Sequence, residues 1–153
     1  MTIREINIDE HWERALPLMH AHWSEAGFDW AFSFDPSRNR YKAMQDAGIC
    51  FALGAFVDEQ LVGYCSAVLS GHAFNPALLM CISDAIYLLP MYRGSFLAGR
   101  LILATEHAAK TRGATVIAWH TRSGTHQAAM LESHGYLGAD AIVMKGLHHE
   151  RSH

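Results

Sequence analysis

An excess of positive charge is the first thing that this sequence lacks. Its 153 residues carry 12 lysines and arginines against 15 aspartates and glutamates, which gives a formal net charge of −3. A protein that binds nucleic acid through a broad basic surface needs the opposite balance. The composition therefore argues against a nucleic-acid partner, and the slight acidity fits a cationic or amine ligand only loosely.

Long apolar runs are also missing. No stretch approaches the roughly 20 apolar residues that a membrane-spanning helix needs, and the start, MTIREINIDE, lacks the apolar core of a secretion signal. Cys50, Cys65 and Cys81 stand inside apolar runs, without the spacing of metal ligands or redox pairs. We therefore expect a cytoplasmic protein without membrane contact, whose cysteines are reduced and buried.

Histidine is abundant, with eleven residues, but its spacing does not indicate a metal site. His20 and His22 are two positions apart, so they cannot share a helix face. The C-terminal GLHHERSH contains a second cluster. We interpret residues 147–153 as a polar frayed tail, with metal binding by the tail as the alternative, and we expect no metal cofactor.

A single domain is predicted over residues 1–153, since no linker or repeat divides the chain. Apolar periodicity and turn residues indicate the order β-α-α-β-β-β-α-β-α-β, an α/β or α+β fold. Asp9 is the predicted N-cap of the first helix, and Asp35, followed by Pro36, that of the second. GHAFNP (71–76) is predicted as a loop and GADAIVMKGL (138–147) as the last strand.

The stretch YLLPMYRGSFLAGRLI (87–102) leads from a buried strand into a long helix. A helix N-terminus has about four unpaired N–H groups and the positive end of the helix dipole. Here the first turn holds small residues and no acid, and Arg93 and Arg100 add positive charge. The pattern favours a phosphate or pyrophosphate site, with an ordinary glycine-rich strand-to-helix turn as the alternative.

The same stretch resembles the coenzyme-A-binding segment of the GCN5-related N-acetyltransferase (GNAT) superfamily, in which a Q/R-x-x-G-x-G/A loop opens a helix. Arg93 aligns with the Q/R position and Ala98 with the final G/A position. The element order along most of the chain and the closing MLESHGY (130–136) are also similar. The segments SDAIYLLPMYRG and GATVIAWHT most resemble small phage-type acetyltransferases. The resemblance implies a mixed, mostly antiparallel central sheet with helices on both faces.

The resemblance further implies an acetyl-CoA-dependent N-acetyltransferase in which a primary amine attacks the thioester directly. Pantetheine would pair with residues 85–88 as an extra strand, the pyrophosphate would lie at the helix N-terminus, and the Leu88 N–H would stabilise the oxyanion. The residues expected at the cofactor are Ile86, Tyr87, Leu88, Arg93, Gly94, Ser95, Phe96, Leu97, Ala98, Gly99 and Arg100.

Two positions depart from the family pattern. Phe96 stands where the first loop glycine belongs, and a positive φ there would cost Phe about 1–2 kcal/mol. If the position is already helical, the ring would pack on the cofactor instead. Leu131 stands where family members often carry the Tyr that protonates the thiolate, so this chain would use another acid or water.

Three residues are candidates for the proton transfers. Asp84 is the only charged residue in a long apolar strand and is the predicted general base, with a structural pairing to Arg122, Lys145 or a backbone turn as the alternative. His120, at the end of the adjacent strand, is a second candidate because imidazole titrates near neutrality. Tyr136 is a candidate acid for the thiolate, with core packing as the alternative.

The acceptor is expected to be a small-molecule or peptide amine. Trp30, Phe32, His72 and Asn75 are its candidate contacts, with Glu25, Asp29 or Asp35 at the rim to attract a cation. Core packing for the aromatic residues and a solvated loop for His72 are the alternatives. The apolar final strand leaves a homodimer open. An acyl-CoA-binding module of the same fold, without catalysis, is the alternative function.

Overall fold

The computed structural model of the protein describes residues 1–121, 125–138 and 142–147, and for Asp84 the backbone alone. In chain order its elements are β1 (Thr2–Glu5), α1 (Trp12–Ala26), α2 (Arg38–Asp46), β2 (Cys50–Val57), β3 (Gln60–His72), β4 (Asn75–Leu88), a 3-10 turn (Pro90–Tyr92), α3 (Phe96–Thr111), β5 (Val116–Trp119) and α4 (His126–Ser133).

The strands of the described residues form one sheet in the order β1-β2-β3-β4-β5. The first three pairings are antiparallel, and β4 pairs with β5 in parallel. The β2–β3 hairpin turns through Asp58 and Glu59, whose φ values of 49° and 63° are those of a tight primed turn. The parallel pair needs a crossover, and α3 supplies it.

The helices bury both faces of this sheet. On one face, α1 and α2 pack against side chains such as Cys50, Ala52, Tyr64 and Tyr87. On the other face, α3 buries its apolar stripe against alternate residues of the same strands, such as Phe51, Leu53, Cys65 and Cys81, together with Ile86 and Leu88. The predicted fold class, a mixed and mostly antiparallel sheet with helices on both faces, is confirmed.

The helix starts differ from the predicted caps. Asn7 closes a turn before α1 by accepting the Glu10 N–H at 3.0 Å, so α1 begins later, at Trp12, and Asp9 binds the Arg38 guanidinium at 2.7 Å instead. Ser37, rather than Asp35, caps α2 by accepting the Arg40 N–H at 3.2 Å. The predictions for Asp9 and Asp35 were wrong because several polar residues compete for each start.

Two strand predictions also need correction. Residues 71–76, predicted as a loop, mostly continue β3 and β4, whose pairing extends to His72 and Asn75. The last strand, predicted over 138–147, is not observed in its described part, because residues 142–147 have no regular structure and Val143 is 91% exposed. Residues 139–141 and the tail from 148 lie outside the described residues.

No helix in the described ranges is long and apolar enough to cross a membrane.

Candidate active site

The β4–β5 pair opens part-way along β4. Its parallel pairing runs from Met80, opposite Val116, to Ser83, opposite Trp119, where β5 ends. The antiparallel register with β3 shifts at the same place, since Ser66 pairs with Ala85 and Ala67 with Ser83, which leaves Asp84 as the extra residue of a bulge. Residues 85–88 therefore keep one strand edge without a partner among the described strands.

The unpartnered edge carries the Leu88 amide. Leu89 donates its N–H to the Val62 carbonyl of β3 at 2.9 Å. Backbone groups of successive strand residues point to opposite edges, so the N–H of Leu88 faces the opening beside β5. An extended ligand arm lying in that opening would meet a free backbone donor there.

The N-terminus of α3 lies eight residues further along the chain. Ser95 caps it, with its hydroxyl accepting the Leu97 N–H at 3.3 Å, and the first turn contains no acidic residue. Gly94 has a φ of 76°, a conformation that glycine adopts without strain. A Cβ on Gly99 would have only the His134 ring nitrogen nearby, at 3.8 Å, so the surface of the first turns is open.

Phe96 is the first residue of α3, and the left-handed φ that would strain it does not occur there. Gly94 takes the positive φ of the loop instead. The Phe96 ring is 91% exposed. Phe96 is therefore in a helical position, the second of the two cases considered for it, and its exposed ring is available to a ligand at the helix start.

Both arginines predicted as counter-charges have partners within the chain. Arg93 forms two hydrogen bonds with the Glu25 carboxylate, at 2.7 and 2.8 Å, and its Nε donates to the Leu88 carbonyl at 2.8 Å. This pair lowers the pKa of Glu25 and raises the pKa of Arg93. Arg100 donates to the Met1 carbonyl at 3.3 Å. The groups without a side-chain partner at the start of α3 are therefore backbone N–H groups rather than these two guanidinium groups.

The two candidate bases lie at the mouth of the opening. Asp84 is the bulged residue of β4, and its side chain, like Arg122, lies outside the described residues. His120 directly follows β5, one position beyond the last paired residue, and is exposed. The structure thus brings the backbones of these two predicted residues to the same end of the β4–β5 pair.

Tyr136 packs beside the end of β5, where its ring meets the Trp119 ring edge-on with centroids 6.2 Å apart. Its hydroxyl donates a short hydrogen bond to the Glu106 carboxylate, and burial, followed by this hydrogen bond, raises its pKa well above the usual range. The hydrogen bond to Glu106 favours the structural interpretation of Tyr136. Leu131, at the family's Tyr position, is 3% exposed.

The predicted acceptor contacts separate into two groups. Trp30 and Phe32, in the connection between α1 and α2, are 50% and 52% exposed. His72 and Asn75 stand at the tip of the β3–β4 hairpin, where the His72 ring accepts the Phe74 N–H at 3.1 Å. Asn75 stands nine positions before Asp84 in the same strand, about 30 Å along it. The structure does not bring His72 and Asn75 to the β4–β5 opening, because the predicted loop continues the two strands.

Sequence reasoning missed an aromatic cluster beside the opening. The His22 ring of α1 stacks on Tyr87 at 5.2 Å and its Nδ1 lies 2.9 Å from the Tyr64 hydroxyl. Arg93 stands over the other part of the Tyr87 ring, 5.3 Å from its centre. The i, i+3 spacing of His22 and Glu25 on one helix face was the only available signal.

A separate cavity of about 330 Å³ lies between α2 and β3 on the same face of the sheet.

A comparison with protein families decides the assignment. The sequence model of the family described as the acetyltransferase (GNAT) family matches residues 15–136. The chain belongs to the GNAT acetyltransferase family. The predicted enzyme class, an acetyltransferase, is confirmed by this membership. No curated protein matches this acetyltransferase in sequence.

Solved structures share the fold of this GNAT protein over nearly its whole length. The ribosomal-protein-alanine N-acetyltransferase from Brucella melitensis biovar Abortus 2308 has a TM-score of 0.70 and 20% identity, covering 95% of this chain and 99% of its own. A BH1408 tetramutant from Bacillus halodurans has a TM-score of 0.76 and 16% identity, covering 96% and 100%. AAC(6')-Iy, in complex with a bisubstrate analogue of CoA, has a TM-score of 0.72 and 17% identity, covering 99% and 98%.

Metal ligands do not converge in the part of the chain that the structure describes. No group of three or more histidine, cysteine, aspartate or glutamate side chains there is placed to hold a metal ion. The three cysteines are buried thiols that no disulfide joins in the described residues, and burial raises the pKa of the Cys81 thiol.

Proposed function

We propose that the protein transfers the acetyl group of acetyl-CoA to a primary amine, in one direct attack on the thioester. The opening between β4 and β5, which begins at Ser83 and Trp119 and continues toward the acid-free start of α3, is the observation that carries this proposal. Among the solved structures of the same fold, AAC(6')-Iy has been crystallised with CoA and with a bisubstrate analogue of CoA.

The described residues fit coenzyme A at three points. The edge of residues 85–88, which pairs with no described strand although Arg93 binds the Leu88 carbonyl, suits an extended amide-containing arm as a further strand. The first-turn N–H groups of α3, apart from that of Leu97, which Ser95 caps, suit a pyrophosphate because they lie at the positive end of the helix dipole. The open surface at Gly99 lets that pyrophosphate approach the backbone. The bound cofactor supplies the acetyl thioester, and the protein supplies position and proton transfer.

The chemistry assigned to the chain follows from this placement. The Leu88 N–H faces the opening and stabilises the negative charge that develops on the acetyl oxygen. Asp84 or His120, at the mouth, accepts the proton of the attacking amine, directly or through one water. Because Leu131 is buried and Tyr136 is bonded to Glu106, water protonates the departing thiolate in this proposal.

An acyl-CoA-binding protein without catalysis is the second candidate, favoured by the buried Leu131 at the family's Tyr position. The phage-type resemblance, the cytoplasmic location and a homodimer remain predictions from the sequence. The acceptor is proposed to be a small-molecule or peptide amine.

Thiol release from acetyl-CoA with a panel of primary amines tests the proposal. Turnover is expected with at least one amine, and Asp84→Asn or His120→Ala should lower kcat by about 100-fold or more if that residue is the base. Lys110→Gln, on the far half of α3, is the control and should keep wild-type activity. Binding of CoA without turnover of any amine would support the second candidate instead.

A further inference from the structure

The cavity between α2 and β3 has walls of different chemistry. Its volume is about 330 Å³, near the lower end for small-molecule sites. Cys50, Ser66 and Val68 form its floor on the sheet, and Tyr41 and Met44 of α2 line one side. Asp35 and Arg40 are at its exposed mouth. The cavity therefore has a mostly apolar interior, with Ser66 on its floor, and charged side chains at its exposed entrance.

The two charges at the entrance have no partner among the described residues, which distinguishes them from their neighbours. On the same helix, Arg38 binds Asp9 at 2.7 Å, and Lys42 binds Asp46 at 2.6 Å. No ion pair or side-chain hydrogen bond engages the Asp35 carboxylate or the Arg40 guanidinium in the described ranges. One unpaired anion and one unpaired cation at one entrance suit a ligand group that carries both charges.

The backbone around the entrance supports this assignment. Ser37 caps α2 at the entrance, and the first turn of α2 contains no acidic residue, so the helix dipole adds to the attraction of Arg40 for an anion. Phe34, next to Asp35, packs edge-on against His20 of α1 at 5.0 Å. The segment that carries the Asp35 carboxylate is thus anchored to the fold.

One floor residue of the cavity lies beside the strand that carries the proposed reaction centre. Ser66, on the floor, is the register partner of Ala85, the residue that follows the bulge at Asp84. The cavity lies on the α1 and α2 face of the sheet, whereas α3 lies on the opposite face. An acceptor in this cavity would reach the β4–β5 opening from the side opposite the proposed pyrophosphate site.

We propose that this cavity binds a free diamino acid and presents its distal amine for acetylation. The α-ammonium group pairs with Asp35, the α-carboxylate pairs with Arg40, and Tyr41, Met44 and Val68 cover the methylene chain. The distal nitrogen bonds to the acetyl carbon as the thioester C–S bond breaks, its proton passes to the base, and CoA leaves as the thiolate. This inference rests on the proposed acetyltransferase function and names its acceptor class.

The entrance is not suited to a polycation, because Arg40 repels additional positive charge and Asp35 is its only described carboxylate. Both charges are exposed, so each contact should contribute a modest factor rather than an absolute requirement.

Steady-state acetylation of four matched amines tests the inference. L-Lysine carries both head-group charges, Nα-acetyl-lysine lacks the cation, lysinamide lacks the anion and cadaverine lacks the carboxylate and its carbon. We expect kcat/KM for L-lysine to exceed that for each of the other three by at least fivefold. Mass spectrometry and NMR of the product should place the acetyl group on the distal nitrogen.

Variants assign the two contacts. Asp35→Asn should bring lysine and Nα-acetyl-lysine to within twofold of each other, and Arg40→Gln should do the same for lysine and lysinamide. Lys42→Gln, on α2 but outside the cavity lining and paired with Asp46, should keep both preferences. Equal turnover of all four amines by the wild type, or preferences that survive in both variants, would overturn the inference and leave the acetyltransferase function intact. Failure with all four amines would overturn it too, and CoA titration would then show separately whether the proposed function stands.

Discussion

At the scale of single residues, Arg93 shows what a sequence motif can predict and what it cannot. Its place at the head of the helix loop was predictable from the sequence, and so was the absence of acids in the first turn. Its partner was not, because Glu25 is 68 positions away and only the packing of α1 on β4 brings the two together. The local charge pattern therefore predicted a phosphate contact for the Arg93 side chain, whereas the structure directs it to Glu25 and to the Leu88 carbonyl.

Glu25→Gln should raise the KM for acetyl-CoA by about three- to tenfold, because the loop before α3 loses the Arg93–Glu25 ion pair that joins it to α1. Its cost in stability should be only about 0.5 kcal/mol, since the carboxylate is 50% exposed and screened by solvent. Glu5→Gln is the matched control. It breaks a second bidentate pair, with Arg112, at the same carboxylate exposure of 50%. Equal KM values in the two variants would show that the Arg93–Glu25 ion pair does not contribute to cofactor binding.

The same pair has a defined pH dependence. The hydrogen bonds from Arg93 hold the pKa of Glu25 below its ordinary value of 4.5. A depressed carboxyl pKa stabilises the fold above the unfolded-state pKa, and this stabilisation is lost as the pH falls through the folded-state value. Urea unfolding should therefore show a stability difference between wild type and Glu25→Gln at pH 7 that narrows below pH 4. A difference that widens in acid would contradict the ion pair.

Tyr136→Phe separates a structural from a catalytic hydroxyl. Loss of the partly buried hydrogen bond to Glu106 should cost about 1.5 kcal/mol of stability, because the acceptor is charged. kcat should stay within twofold of the wild type, since this hydroxyl is bonded to the Glu106 carboxylate and the proposal assigns the thiolate's proton to water. Thermal unfolding and steady-state rates measure the two effects. A tenfold loss of kcat in a folded protein would restore Tyr136 as the acid.

At the scale of elements, the hydrophobic pattern predicted the helices and strands whose burial follows a regular apolar period. The apolar stripe of α3, the β2–β3 hairpin and the long strand β4 all follow from it, although the first residues of β4 are exposed rather than covered on both faces. Patterning did not predict the bulge at Asp84, because an extra residue changes register without changing composition. It also failed for residues 71–76, where glycine and proline indicated a loop although the backbone pairs of a long hairpin were still available.

The length of this hairpin gives a prediction of its own. His72→Ala and Asn75→Ala should change kcat/KM by less than twofold, because about 30 Å of strand separates them from the opening. The cost in stability should be within about 0.5 kcal/mol, as both side chains are exposed. Kinetics of the purified variants with acetyl-CoA and an acceptor amine would measure this. A large loss would mean that the hairpin tip reaches an active site, for instance that of a second copy.

At the scale of the whole molecule, the sheet lies between the two proposed binding sites. The described structure has the acid-free start of α3 on one face and the α2–β3 cavity on the other, and the proposed reaction centre is the β4–β5 opening in the same sheet. The fold was predictable because strand order and the α3 segment agree with one family. The proposed acceptor-binding cavity was not predictable, since it depends on contacts between α1, α2 and β3 that no local sequence pattern encodes.

Calorimetric titration with acetyl-CoA tests the central claim most directly, in the wild type, Gly99→Glu and Leu103→Glu. Both variants add one negative charge to α3, but Gly99 lies in the first turns, where a Cβ meets no clash, and Leu103 is one turn further and 55% exposed. We predict micromolar binding by the wild type, at least tenfold weaker binding by Gly99→Glu and near wild-type binding by Leu103→Glu. Equal affinities in all three proteins, or no binding by the wild type, would contradict the proposed cofactor site.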